Sequence, residues 1–145
     1  MPESNLSKVL MKRLKSVGHA TRIENLATVG MPDVSYCIDG REGFIENKWI
    51  SAWPRDASRI VLLRHYTAQQ RIWHCDRTSA GGNVWVMLGV GSPLRDVLIF
   101  DGGWAASFLG RVSRPELIRG STLASIGMGF PWEHIRALLV TRTAL

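Results

Sequence analysis

Apolar and polar positions alternate in two neighbouring stretches of the first third of the chain, with the dipeptide Asp39-Gly40 between them. Alternation with a period of two is typical of β-strands. Asp-Gly favours a tight turn, because both central residues of a type I′ turn need a positive φ. The pattern therefore predicts a β-hairpin that runs from Asp33 to Lys48.

Helical periodicity dominates elsewhere in the first half. A first helix is predicted before the hairpin, from the spacing of Leu6, Val9, Leu10, Leu14 and Val17. A second is predicted from Thr67 to about Thr78, because Thr67 and Gln70 have the spacing of a capping box. Between hairpin and second helix, the apolar stretch 60–64 is expected to be extended.

The second half combines apolar strands with short helices. Residues 84–90 are apolar on both faces, as expected of a doubly covered central strand, and 97–100 predict a further strand. A helix that opens at Pro115 is expected to continue until the glycines at 127 and 129, and Pro131 opens the last helix. The order predicts an α/β fold with a mixed central β-sheet of about four to five strands flanked by helices.

The hairpin also carries candidate chemistry. Glu46 and Lys48 are two residues apart on a strand and therefore project from one face. A turn at Asp39-Gly40 places Asp33 opposite Glu46, and a turn one residue later places it opposite Lys48, on that same face in both cases. Two carboxylates and an ammonium on one patch suit a hard cation such as Mg²⁺ and a water that attacks a phosphodiester.

Composition limits the class of protein, its partners and its cellular location. The 145 residues are 46% hydrophobic, which is compatible with one domain and a real core, and the net charge of +6 is compatible with a polyanionic partner. The two cysteines make no disulfide framework, and no apolar run reaches the roughly 18 residues of a membrane helix. The beginning of the chain lacks a secretory pattern. We therefore expect an intracellular protein that does not enter membranes.

The order Pro32-Asp33, hairpin turn and Glu46-Asn47-Lys48 resembles the signature of the PD-(D/E)xK nuclease superfamily. Further motifs resemble its small phage-type members, near the VRR-NUC and Holliday-junction-resolvase-like branches: Gly30-Met31-Pro32-Asp33-Val34, Thr67-x-x-Gln70-x-x-Trp73 and Ala80-Gly81-Gly82. The resemblance covers about residues 6–90 and implies a restriction-endonuclease-like core. Within a single nuclease domain over 1–145, it leaves residues 91–145 unassigned.

The resemblance also implies roles for individual residues. Asp33 and Glu46 would bind Mg²⁺ or Mn²⁺ together with the backbone carbonyl of Asn47. Lys48 would orient the attacking water, help to deprotonate it or neutralise the developing charge. Glu24 would be the auxiliary acid, although it is equally compatible with a salt bridge to a neighbouring arginine.

Gln70 matches a polar position that the superfamily keeps beside this strand, where it would contact the site or the DNA backbone. Equally, it could serve in the capping box alone. The expected activity is metal-dependent endonucleolytic cleavage of branched or otherwise structured DNA in phage replication or recombination, in the host cytoplasm. Cutting a junction would require paired sites, hence a homodimer. The alternatives are a catalytically inactive DNA-binding subunit with this fold and a small basic interaction domain whose hairpin charges are incidental.

Overall fold

The computed structural model describes residues 2–23 and 29–141 of the chain. These residues form five helices and six strands, numbered in chain order. The helices are α1 (Pro2–Val17), α2 (Ala68–Ser79), α3 (Gly102–Phe108), α4 (Arg114–Gly120) and α5 (Trp132–Leu139). The strands are β1 (His19–Arg22), β2 (Val34–Ile38), β3 (Arg41–Ile50), β4 (Val84–Val90), β5 (Asp96–Asp101) and β6 (Leu123–Ser125).

All six strands belong to one sheet, in the order β1-β2-β3-β4-β5-β6. The β3–β4 pair is parallel and the other four pairs are antiparallel. A parallel neighbour needs a long crossover, and the loop after β3 together with α2 supplies it. The predicted mixed α/β sheet is confirmed, with one strand more than expected.

The hairpin has the predicted turn. Asp39 has φ 50° and Gly40 has φ 76°, so both central residues lie in the left-handed region that such a turn requires. Val34 accordingly pairs with Ile45, and Ile38 pairs with Arg41. The register therefore follows from the turn at Asp39-Gly40 and not from the later alternative.

Each face of the sheet has its own apolar core. Helices α1 and α5 cover one face, where Leu10 and Leu14 of α1 are fully buried against strand residues such as Met87. Helices α3 and α4 cover the other face over Val86 and Leu88, together with Trp53, Val61 and Tyr66 from the crossover. The central strand β4 is buried along its whole length, as its uniformly apolar sequence predicts.

The sixth strand corrects one expectation. The helix that opens near Pro115 does not continue to Gly127 but ends at Gly120, and β6 pairs with β5 through Ile99 and Leu123. A three-residue strand is too short to show a period of two, so its formation depends on the free edge that β5 offers. Within the described part of the chain, no helix is long and apolar enough to cross a membrane.

Candidate functional site

Strand β3 projects two of its charged side chains, Glu46 and Lys48, into the interior of the sheet face that α2 helps to cover. Glu46 lies beside Val86 of β4 and Lys48 beside Leu88, and these two charged residues are 1% and 3% exposed. Asn47 projects from the opposite face, where its Nδ2 donates to Ser7 Oγ of α1 at 2.8 Å. The predicted sharing of one face by Glu46 and Lys48 is therefore observed.

Asp33 joins this pair from the residue before β2. Its Oδ2 accepts a hydrogen bond from the backbone N–H of Asn47 at 3.0 Å, which fixes the carboxylate beside β3. The negative charge of Asp33 lies close enough to the Glu46 carboxyl group to raise its pKa. Asp33 is half-buried, so it is the member of this trio that solvent reaches.

Gly30 explains why the chain can bring Asp33 to this position. Its φ is +91°, and a Cβ built on it would lie 2.3 Å from the carbonyl oxygen of Gln69. Only glycine tolerates both the conformation and the approach. The loop that carries Asp33 therefore packs directly against the first turn of α2.

Lys48 is held by three contacts. Its Nζ lies 3.2 Å from Glu46 Oε2, donates to the backbone carbonyl of His65 at 2.9 Å and lies 5.7 Å from the centre of the Tyr66 ring. His65 and Tyr66, which precede the N-cap residue of α2, therefore hold the ammonium beside the Glu46 carboxylate. This ion pair is sequestered from water, unlike a solvated surface pair.

The Glu46 carboxyl group is electrostatically unfavourable as an anion. Burial, together with the negative charge of Asp33, raises its pKa to about 9 against the opposing effect of Lys48. Its Oε1 is buried and has no hydrogen-bond partner among the described residues. A cation beside this oxygen would favour the ionised form, so the donor set fits a hard divalent ion.

Two carboxylates are all that the described residues contribute to such a site. Among them, no group of three or more histidine, cysteine, aspartate or glutamate side chains could hold a metal ion. This composition suits Mg²⁺, because that ion keeps several waters and is usually bound by one or two carboxylates and substrate phosphates. Asp33 and Glu46 would hold the ion, and the participation of the Asn47 carbonyl stays a prediction.

A buried polar pair lies behind Lys48. Tyr66 and His74 are hydrogen-bonded between the phenol oxygen and Nδ1 at 2.8 Å, and both are almost fully buried. Burial, together with the positive charges of Lys48 and Arg71, lowers the pKa of His74 to about 4. His74 is therefore neutral at physiological pH.

Arg71 fixes this pair from α2. Its guanidinium lies 4.3 Å from the centre of the Tyr66 ring and donates to the backbone carbonyls of Ala105, Ala106 and Leu109. Tyr66, Arg71 and His74 are not among the site residues predicted from the sequence. The capping box indicates two of them, because Arg71 and His74 lie on one face of a helix that begins after Thr67.

Gln70 is not joined to the cluster by a hydrogen bond within the described part of the chain. Gln70 Oε1 accepts from the Thr67 N–H at 3.0 Å, and Thr67 Oγ1 accepts from the Gln70 N–H at 3.2 Å. The predicted capping box is therefore confirmed, whereas a contact of Gln70 with the site or with DNA stays a prediction. Glu24, the predicted auxiliary acid, lies outside the described residues.

Comparison with known proteins gives a likeness of fold to solved structures. No protein-family model matches the chain, and no curated protein is significantly similar to it. Among solved structures, the chain is similar to Hjc of Archaeoglobus fulgidus, a Holliday junction resolvase from an archaeal hyperthermophile, with 17% identity and a TM-score of 0.48. The match covers 70% of this chain and 78% of that one. A likeness this distant carries no argument about activity, which depends on the site.

Proposed function

We propose that this protein is a metal-dependent endonuclease that hydrolyses phosphodiester bonds in DNA at Asp33, Glu46 and Lys48. One observation carries the proposal. A buried glutamate with an oxygen that lacks a hydrogen-bond donor lies between a second carboxyl group and a lysine ammonium. Burying such a group is unfavourable unless a partner compensates it, and a divalent cation is the partner that two adjacent carboxylates suit.

The residues of the chain divide the chemistry among them. Asp33 and Glu46 would hold Mg²⁺ or Mn²⁺, which when bound acts as a Lewis acid and lowers the pKa of water. Lys48 presents a hydrogen-bond donor beside these carboxylates, where it would orient a water of the bound ion or offset negative charge on the phosphate. The carbonyl of His65 and the ring of Tyr66 keep the ammonium in that place.

DNA is the proposed substrate because the charge of the protein suits a polyanion. The chain carries a net charge of +6, and the solvent-facing residues of α1 include Lys8, Lys12, Arg13 and Lys15. Contacts between such basic side chains and DNA phosphates would release counterions and supply affinity that does not depend on DNA sequence. We further propose branched DNA as the preferred form and a homodimer as the active species for cutting a junction, since two strands must be cut.

Cleavage assays with matched variants test the proposal. Purified protein is incubated with plasmid, linear and four-way-junction DNA in Mg²⁺, Mn²⁺ or EDTA. Asp33→Asn and Lys48→Met are compared with Asp39→Asn and Arg136→Met, which likewise remove one charge but at exposed positions outside the proposed site. Asparagine is also acceptable at the positive φ of residue 39.

We expect metal-dependent cleavage that both site variants lose and both control variants retain. Cleavage that survives in Asp33→Asn and Lys48→Met would contradict the proposed site. DNA binding without any cleavage by the wild type would instead favour the inactive DNA-binding subunit. Absence of binding even at low salt would favour a basic interaction domain of another kind.

A further inference from the structure

Two large apolar side chains are displayed to solvent on the crossover between β3 and α2. Ile60 is 52% exposed and Leu62 is 68% exposed, whereas Val61 between them is 1% exposed. Alternate residues of an extended chain point to opposite sides. The burial of Val61 in the core therefore forces its two neighbours outward together.

The exposed pair of Ile60 and Leu62 is anchored to the fold. Ile60 forms a β-bridge with Ser113, and the Val61 N–H donates to the Val112 carbonyl at 2.9 Å. Beside it lies a groove of about 680 Å³, with apolar walls that include Trp53. The exposed pair is thus held in place at the rim of a groove and is not the tip of an unsupported loop.

Positive charge surrounds the apolar pair. Arg55, Arg59 and Arg64 of the same crossover segment are exposed. Arg114 places its guanidinium 4.9 Å from the centre of the Trp53 ring, at the groove. The one acid of this segment, Asp56, accepts hydrogen bonds from the backbone N–H and the hydroxyl of Ser58. An apolar surface that is surrounded by arginines suits DNA, because bases can pack on the apolar side chains while phosphates contact the arginines.

The apolar pair also lies near the proposed catalytic site. Leu62 lies three positions before His65, whose backbone carbonyl accepts a hydrogen bond from the Lys48 ammonium. Three residues of chain span at most about 11 Å, so Leu62 lies within the length of a few nucleotides of the site. A DNA strand with one phosphate at Lys48 would bring its neighbouring bases close to Ile60 and Leu62.

We propose that Ile60 and Leu62 form a wedge that packs against unstacked bases of DNA, which makes cleavage selective for branch points and other interruptions of base stacking. The proposal depends on the nuclease function above and adds the feature of DNA that is recognised. Other DNA-binding proteins insert apolar side chains between base steps, where they unstack the bases. In intact duplex that unstacking costs free energy, whereas bases at a branch point are already freed in part.

The test combines a base-stacking probe with two substrates. Four-way-junction and linear duplex DNA carry 2-aminopurine, at the branch point and at the centre respectively, because its fluorescence rises when it is unstacked. The double variant Ile60→Ser/Leu62→Ser is compared with wild type and with Met128→Ser, a change at another exposed apolar residue, which is 79% exposed. Binding is measured without divalent metal, and cleavage rates are measured with Mg²⁺. Light scattering reports the oligomeric state.

We expect the fluorescence to rise when the wild type and Met128→Ser bind the junction, and not with the double variant. The preference for junction over duplex should fall about tenfold in the double variant while its melting temperature stays unchanged. An unchanged preference and fluorescence, in a wild type that cuts DNA, would overturn the wedge alone. Dissociation of a dimer by the double variant would overturn it too, because the surface would then bind a second copy. A wild type that neither binds nor cuts DNA would overturn the nuclease function itself.

Discussion

Two carboxylates of the sheet, Asp96 and Glu46, are equally buried, at 1% exposure each, yet their surroundings differ. Asp96 Oδ1 accepts the Gly127 N–H at 2.7 Å, and its Oδ2 accepts the Trp53 indole N–H at 2.6 Å. Glu46 Oε2 meets the Lys48 ammonium, and its Oε1 has no partner among the described residues. One carboxylate is fully hydrogen-bonded and the other is half-satisfied.

The difference separates a structural role from a functional one. Asp96 ties the crossover and the loop after β6 to the start of β5, and the donors that surround it compensate its burial. Glu46 pairs with Lys48 of its own strand, while burial and the charge of Asp33 raise its pKa. A half-satisfied buried carboxyl group is unfavourable for folding, so it points to a ligand that completes it. Four experiments test this difference between the two carboxylates and their surroundings.

The largest effect is expected from Glu46→Gln. The variant removes a proposed metal ligand, so metal-dependent cleavage should fall by at least about 10²-fold. Stability should change by no more than about 1 kcal/mol, because the raised pKa of Glu46 favours its neutral carboxyl group without metal, and the amide resembles that group. Initial rates of plasmid nicking and urea unfolding measure the two quantities. A large loss of stability with retained cleavage would assign Glu46 the structural role.

Asp96→Asn should show the opposite behaviour. Its amide retains a single acceptor oxygen for two donors, so the Gly127 N–H or the Trp53 N–H loses its partner. We expect a loss of about 3 kcal/mol in unfolding free energy. Cleavage per folded molecule should be unchanged well below the melting temperature, as urea unfolding and nicking assays can check. A drop in cleavage as large as that of Glu46→Gln would remove the contrast.

The buried His74 behind the site should make stability depend on pH. Its pKa is about 4 in the folded protein and 6.5 in its ordinary state. Between these values the unfolded chain binds a proton that the native chain does not, so stability is complete above about pH 6.5 and falls as the pH falls towards 4. From pH 6.5 to 5 the loss should be about 2 kcal/mol.

His74→Asn isolates this effect. Asparagine can still accept a hydrogen bond from the Tyr66 hydroxyl but does not titrate, and the charges of Lys48 and Arg71 that face residue 74 remain. Urea unfolding at several pH values should show a shallower decline for the variant than for the wild type. Parallel curves for the two proteins would show that His74 does not resist protonation in the fold.

The smallest effects concern the capping box of α2. Thr67→Ala and Gln70→Ala should each lower stability by about 1 kcal/mol, because each removes one of the two reciprocal hydrogen bonds. If Gln70 also contacts the site or DNA, as we predict, Gln70→Ala should reduce cleavage several-fold more than Thr67→Ala. Equal cleavage by the two variants would restrict Gln70 to the cap.

Local signals in the sequence were sufficient for the hairpin and for α2. The turn at Asp39-Gly40 depends on the positive φ of its own two residues, and the register follows from it by counting. The face shared by Glu46 and Lys48 follows from the period of the strand. The cap at Thr67 likewise depends on residues within one helical turn.

The amino-acid sequence alone thus determined which charged side chains share a face, because that is a matter of neighbours along the chain. Which groups contact these side chains was decided by the tertiary structure alone. The crossover brings His65 and Tyr66 onto Lys48, and α2 places His74 behind them. Strand β5 likewise provides the edge on which β6 pairs. These contacts join residues far apart in the chain, and the packing of the whole sheet selects them. The missing donor at Glu46 is likewise a property of that packing, which no local pattern records.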